Sequence, residues 1–495
     1  MKQFFLLFPV MLIFVLPGKG QEVKYLTLDD AIEIATSSSL DAFRNENMYL
    51  SSYWEFRYFK TERLPSLSLQ ATPINYNRSM QKVYNYDENR DEYKLRENIE
   101  SEVAVVLNQN VGLTGGQIFA RSELNLTQKL GDNELSSYSS TPFSIGYSQN
   151  INGYNRLKWT AKIEPLKFEK AKKNFIQSKE QLAIKANSLF FNLVDAQIEV
   201  NITETNVFNT DTLYTIGQGR FQVGTVTQDE LLNLELDFMN AKLALTRAKL
   251  GVERARAELN SFLGFDKNTK IECLIPTELP PDFQVNPSLA VERGLNNNPE
   301  ILDQRQRLLD QDRRVNMAKS ENGVSGDVFA LYGLNQNSTT FGEVYINPLD
   351  RQRFMLGVDI PILDWGRRKG QLAMAESNRE VVRISINQEK IDFEQNIVMN
   401  VMEFNLQADQ VLNTAKADTI AKMGYDVTQQ RFLIGKVDVT RLNIARNMQE
   451  QARRAYIRSL RSYWNYYFNI RRLTLYDFLQ DISLSEDFDR ILNNL

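Results

Sequence analysis

Arg220-Phe221-Gln222-Val223-Gly224 returns 211 residues later as Arg431-Phe432-Leu433-Ile434-Gly435, and this recurrence sets the architecture. The same separation joins Val226 to Val437, Leu231 to Leu442, Ala241 to Ala452 and Asp266 to Asp477. It also joins Tyr154, Arg156 and Lys158 to Trp365, Arg367 and Lys369, so the register holds from about 154 to 266 and from 365 to 477. Upstream the separation becomes 259 residues, with Ala31-Ile32-Glu33 matching Ala290-Val291-Glu292. The first copy therefore carries an insertion of 48 residues between about 65 and 154. A period this long means two fused copies and not a solenoid.

Each copy reads as an opening helix, strands, and a long helical hairpin. Leu231, Leu234, Phe238, Ala241, Leu245, Ala248, Val252, Ala255, Leu259 and Phe262 alternate spacings of three and four, the rhythm of coiled-coil packing. Leu182, Ala186, Leu189, Leu193, Ala196 and Val200 keep the same rhythm in the preceding helix. The second copy repeats it from Leu442 to Leu473 with larger and more polar members, Tyr456, Tyr463 and Tyr466 among them. One long helix is expected over about 158–218, with Pro165 kinking it or delaying its start. Shorter helices are expected over 227–263 and about 27–63. An ordinary soluble helical bundle would show the same stripes.

Strands are expected over 66–77, 142–151, about 326–337 and 354–361. The insertion adds Val103–Asn108 and Ile118–Thr127, joined through Leu113-Thr114-Gly115-Gly116. Phe143, Ile145 and Tyr147 alternate with Ser144, Gly146 and Ser148. One apolar face and one face of small or polar residues suits a barrel wall between lipid and water, or one sheet of a soluble sandwich. The expected organisation is a signal peptide over 1–20, a first repeat over 21–272, a proline-rich linker over 273–287, a second repeat over 288–480 and a tail over 481–495.

Composition removes whole classes of chemistry. The 495 residues contain no histidine, which excludes Ser-His-Asp and Cys-His catalysis and His-ligated metals. A single cysteine, Cys273, allows no intrachain disulfide. A net charge of −4 gives no support to a nucleic-acid partner bound by bulk positive charge. Gly217-Gln218-Gly219 resembles the start of a dinucleotide loop, but Gln222 stands where the last glycine belongs. No enzyme chemistry, cofactor or metal is expected. Lys2 and the apolar run Phe4–Leu16, with Gly18 and Gly20 before Gln21, read as an export signal. No later run is long enough for a membrane helix, so any membrane crossing must use strands.

The signal, the duplication, the twin Arg-Phe-x-x-Gly motifs, Leu64-Pro65 and Asp364-Trp365-Gly366-Arg367-Arg368 together resemble the TolC-type outer-membrane efflux factor family, over essentially the whole mature chain. The resemblance implies a mainly α fold with β: a homotrimer whose shared β-barrel, four strands per chain, continues into a helical barrel. It implies a passive exit duct in the outer membrane of a Gram-negative bacterium, with a periplasmic tunnel. Its partners would be outer-membrane lipid, a periplasmic adaptor and an inner-membrane transporter, and its cargo small molecules or proteins. The alternatives are a periplasmic adaptor, or a secreted structural coiled-coil protein without a barrel.

The resemblance places adaptor docking at the hairpin tips: Arg220, Phe221, Gly224 and Val226, with Arg431, Phe432, Gly435 and Val437. The two glycines suit a helix C-cap equally well. Val226 and Val437 are expected as the exposed apolar contact. Family members can ring the tunnel mouth with acidic residues after the second tip glycine, where this chain has Arg441 and Ile444. The acidic pair Asp229-Glu230 lies in the first copy instead, and Asp438 lies nearer the tip. Glu230 and Arg441 are repeat-equivalent, so both, with Asp229 and Asp438, are gate candidates; solvated helix charges would look the same.

Overall fold

The computed structural model describes residues 23–85, 88–131, 134–267, 269–276, 283–434, 436–437 and 439–493. The expected signal peptide, Gly435, Asp438 and part of the linker lie outside the described residues. In chain order the first repeat contains β1 (Lys24–Leu26), α1 (Leu28–Ser37), α2 (Leu40–Thr61), β2 (Ser66–Asn85), β3 (Arg90–Asn110), β4 (Gln117–Leu130), β5 (Leu135–Ile151), α3 (Arg156–Gln222), α4 (Gln228–Leu263) and β6 (Ile271–Cys273). The second contains α5 (Pro287–Asn297), α6 (Pro299–Asn322), β7 (Ser325–Ser338), β8 (Leu349–Asp359), α7 (Arg367–Leu433) and α8 (Val439–Thr474). The chain continues through β9 (Tyr476–Asp477), β10 (Ile482–Ser483) and α9 (Phe488–Asn493).

The backbone gathers into two compact units, each drawn from both repeats: Met1–Asn47, Phe175–Gly294 and Asn396–Leu495 in one, Met48–Asn174 and Leu295–Gln395 in the other. The first is helical. The expected stripe is its core: Ala241, Ala248, Val252, Ala255, Leu259 and Phe262 of α4 are buried, as are Leu182, Ala186 and Leu193 of α3. Phe404 of α7 packs against Tyr463 of α8 with ring centroids 5.0 Å apart. Gly217 sits inside α3, where an added Cβ would lie 2.5 Å from Leu234. It is a close-packing glycine of the hairpin and belongs to no phosphate loop.

The opening helix is not the single 27–63 segment expected. It breaks between α1 and α2, and the second copy breaks at the equivalent place between α5 and α6. Ser39 and Asn298, 259 residues apart, cap the restarts: Ser39 Oγ accepts from Ala42 N–H at 3.0 Å and Asn298 Oδ1 from Glu300 N–H at 2.8 Å. These small side chains compete with the helix ladder, and Pro299 starts α6 at the position where proline fits. Pro165 neither delays nor ends α3, which runs unbroken from Arg156 to Gln222. Ile271–Cys273 pairs in parallel with Lys24–Leu26, and Asn405 holds Val285 through both backbone groups, at 2.9 and 3.0 Å. Cys273 is buried and its thiol is pushed up to about 12 by that burial, so it is an inert core residue.

The second unit holds a six-stranded antiparallel sheet in the order β2-β3-β4-β5-β7-β8. The insertion therefore lengthens the sheet, and β3 and β4 lie between strands that have counterparts in the second copy. Around it, Phe56 of α2 stacks on Phe168 of α3 at 4.6 Å, and Arg307 of α6 clasps the Glu389 carboxylate of α7. Asp364 accepts backbone N–H groups of Gly366 (3.0 Å) and Arg368 (3.2 Å), which caps α7 and holds its carboxyl below the usual range. Trp365 and Gly366 turn the chain there with φ of 55° and 84°.

Candidate functional site: the helix tips and the faces of the sheet

The first hairpin tip is built by a helix stop. Gly224 takes φ 73°, its N–H bonds to Phe221 O at 3.0 Å, and Thr225 N–H bonds to Arg220 O at 2.9 Å. That pair of bonds is the Schellman C-cap, which requires a left-handed residue at the position of Gly224. The second tip repeats the longer bond, Lys436 N–H to Arg431 O at 2.9 Å. An added Cβ at Gly224 meets nothing within 4 Å, so the glycine serves conformation and lies open to solvent.

The tips differ from expectation in which apolar residue they present. Val226 and Val437 are half-buried. The exposed ones are Val223 (73%) and Ile434 (66%), the residues just before the two glycines and themselves repeat equivalents. Arg220, Phe221 and Arg431 are exposed and Phe432 is half-buried.

Of the gate candidates, Asp229 and Glu230 occupy the first turn of α4 and Arg441 the first turn of α8. The Glu230 carboxylate accepts Thr227 N–H at 2.9 Å, closing the start of α4 as a helix cap. Thr227 and first-turn backbone N–H groups hold the Asp229 carboxyl below its ordinary range. Both side chains are thus engaged at their own helix N-terminus, where negative charge is stabilised.

Strand register sorts the sheet into two faces. Leu67, Leu69 and Ala71 of β2 stand opposite Leu107, Val105 and Val103 of β3, and beyond a bulge Tyr76 stands opposite Ile99. The same face continues through Ile118, Ala120 and Leu124 of β4, Ile145 and Tyr147 of β5, Ala330 and Tyr332 of β7, and Phe354 and Leu356 of β8. The other face carries charge. Arg121 of β4 clasps Glu102 of β3 and forms an ion pair with Glu123, its Nε 2.7 Å from the carboxylate, and Asn125 donates to Glu123. Glu102 was not legible as part of this cluster, because it meets Arg121 only through the register of β3 against β4. Gly146 leaves room for the Phe119 ring, whose Cζ would lie 2.3 Å from an added Cβ.

With this geometry in place, residues 290–474 match the family described as outer membrane efflux protein. Among solved structures, the CmeC outer membrane channel of Campylobacter jejuni superposes with a TM-score of 0.66 at 16% identity, covering 94% of this chain and 88% of that one. A membrane protein from Pseudomonas aeruginosa gives 0.61 at 14%, covering 90% of each chain. The outer membrane protein VceC from Vibrio cholerae gives 0.60 at 12%, covering 90% of this chain and 95% of that one. No curated protein matches by sequence. The resemblance read from the sequence holds: the chain has the TolC-type fold, and its second repeat carries the signature of a family of channels, which are not enzymes.

Proposed function

We propose that this chain forms the outer-membrane duct of a tripartite efflux or type I secretion system. Three copies give passive export of small molecules or proteins across the periplasm and outer membrane, docked to a periplasmic adaptor and an inner-membrane transporter. The observation that carries this reading is a second heptad stripe left on the surface. Leu232, Leu236, Met239, Leu243 and Leu250 of α4 are each at least half exposed, as are Ile420, Met423 and Val427 of α7. They keep the heptad register, in steps of three and four and one full heptad from Leu243 to Leu250, on helices whose other stripe already packs within the chain. A helix with two seams is what the wall of a helical barrel requires, and copies of the same chain supply the second seam.

The apolar face of the sheet supports membrane insertion and weighs against an adaptor or a soluble coiled-coil protein, since strands alone must cross. Among the described residues no helix is long and apolar enough to cross a membrane. Cell fractionation should place the chain in the outer membrane, and native mass measurement in detergent should give three chains. A monomer recovered from the soluble fraction would overturn the proposal.

For the gate, Glu230 and Arg441 would alternate around the tunnel mouth, with Asp229 and Asp438 favouring cations at the entrance. Solvated pairs of this kind are worth about 0–1 kcal/mol each. Arg441→Glu should raise single-channel conductance in planar bilayers, and adding Glu230→Arg should return it to the closed level. Conductance and ion selectivity unchanged by the single reversal would remove both residues from the gate.

A further inference from the structure

We propose that copies of this chain join β8 of one to β2 of the next, so that a threefold ring closes as a barrel of 18 strands, six from each chain. The inference rests on the trimer proposed above and concerns the wall that the trimer builds, which the sequence resemblance had set at four strands per chain.

The strand order leaves β2 and β8 as the two edges of the sheet. Each edge carries a row of backbone N–H and C=O groups with no ladder partner, and hydrocarbon cannot satisfy them. The apolar face runs out to both edges at full strength. Leu67 and Leu69 of β2 are 71% and 70% exposed, and Phe354 and Val358 of β8 are 73% and 60% exposed. Both edges therefore lie at the depth of the lipid. Direction agrees as well. β2 leaves α2 and β8 returns towards α7, so β8 and a neighbour's β2 meet antiparallel, like every pair already in the sheet. An even number of strands per chain preserves that alternation around a closed ring.

The inserted strands are wall and not an appendage. β3 pairs with β2 from Ser66↔Asn108 outward and with β4 from Asn110↔Gln117 to Glu97↔Leu130, so lifting β3 and β4 out would separate β2 from β5. Their turn is fastened to its surroundings. Asn155 donates to Gly112 O and Leu113 O, both at 3.2 Å, and Gln149 donates to Thr114 O at 3.0 Å. Gln109, at the end of β3, donates to Arg63 O at 3.0 Å. On the far side of Tyr76 and Ile99 the hairpin turns charged, with Arg78–Glu97 at 2.5 Å and Lys82–Asp91 at 2.6 Å. Ser66–Tyr76 is thus the membrane segment, matching the ~9–11 residues of a transmembrane strand. Strands ~4.8 Å apart and tilted ~40° give 18 strands a diameter of ~36 Å, against ~24 Å for twelve, so the bore roughly doubles in cross-section.

Disulfide capture across the seam tests this. Gln70 of β2 shares the polar face with Arg351, Arg353, Met355 and Gly357 of β8. Gln70→Cys would be combined in turn with Arg351→Cys, Arg353→Cys, Met355→Cys or Gly357→Cys in the full chain, after single-cysteine variants are shown to assemble. The native Cys273 is buried and stays out of the reaction. At least one combination should give two- and three-chain bands on a boiled, non-reducing gel that collapse on reduction. Trimers by native mass with no captured band from any combination, or capture only within one chain, would overturn the 18-stranded wall. A native mass other than three chains would overturn the trimer instead, and the number of chains in the captured band would then give the true strand count.

Discussion

Arg471→Ala should destabilise the folded chain by about 3–5 kcal/mol, the cost of leaving buried charge without its partner. The Arg471 guanidinium bonds Glu180 Oε1 at 2.8 Å and Asp477 Oδ2 at 3.1 Å, while the Glu180 and Asp477 side chains are 9% and 2% exposed. Tyr467 completes the network by donating to Asp477 Oδ1 at 2.8 Å. Burial pushes the Glu180 carboxyl above its ordinary value even with Arg471 beside it. An acid shifted this way favours its neutral form in the fold, so holding it charged costs stability above its folded pKa, and the cost vanishes on acidification below its unfolded value. The Arg471→Ala penalty should therefore be largest near about pH 7 and shrink towards about pH 4.5. Thermal unfolding of the wild type and variant at both pH values measures it. An equal loss at both would show that lost packing over Tyr467 and Phe468, and not the stranded carboxylate, is responsible.

In the proposed duct, Val223→Asp combined with Ile434→Asp should abolish export while the proposed trimer still forms. These two residues are the most exposed apolar groups described at the tips, and setting an unpaired carboxylate into an apolar contact costs roughly 2 kcal/mol or more, about a 30-fold loss of affinity each. Neither substitution touches the backbone bonds that form the tip. Gly224→Ala is the contrast. Open space surrounds the site, so its effect is limited to the ~1–2 kcal/mol strain of a left-handed alanine, and docking should persist. Crosslinking to the proposed adaptor and accumulation of the exported compound in cells read both variants. Full export by the double aspartate variant would place docking elsewhere on the surface.

Local pattern alone determined the duplication, the helical hairpins with their packed stripes, and the presence of each strand of the sheet, though not its length: β3 runs from Arg90 to Asn110 where only 103–108 was expected. Periodicity of 3.6 or 2 is written along the chain, and each repeat confirms the other. The same pattern was blind wherever packing, strand register or the direction of a turn decides. The break at Ser39 was hidden because a buried serine can cap a helix or sit within it, and burial there is decided by packing. The Glu102–Arg121 clasp depends on the register of β3 against β4, and one residue of slip would send each side chain to the opposite face. Val223 rather than Val226 became the exposed tip residue because the left-handed turn at Gly224 sets the direction in which the chain leaves the helix. That the inserted strands widen the sheet, instead of folding beside it, follows from hydrogen bonds between β2, β3, β4 and β5, which no single segment encodes.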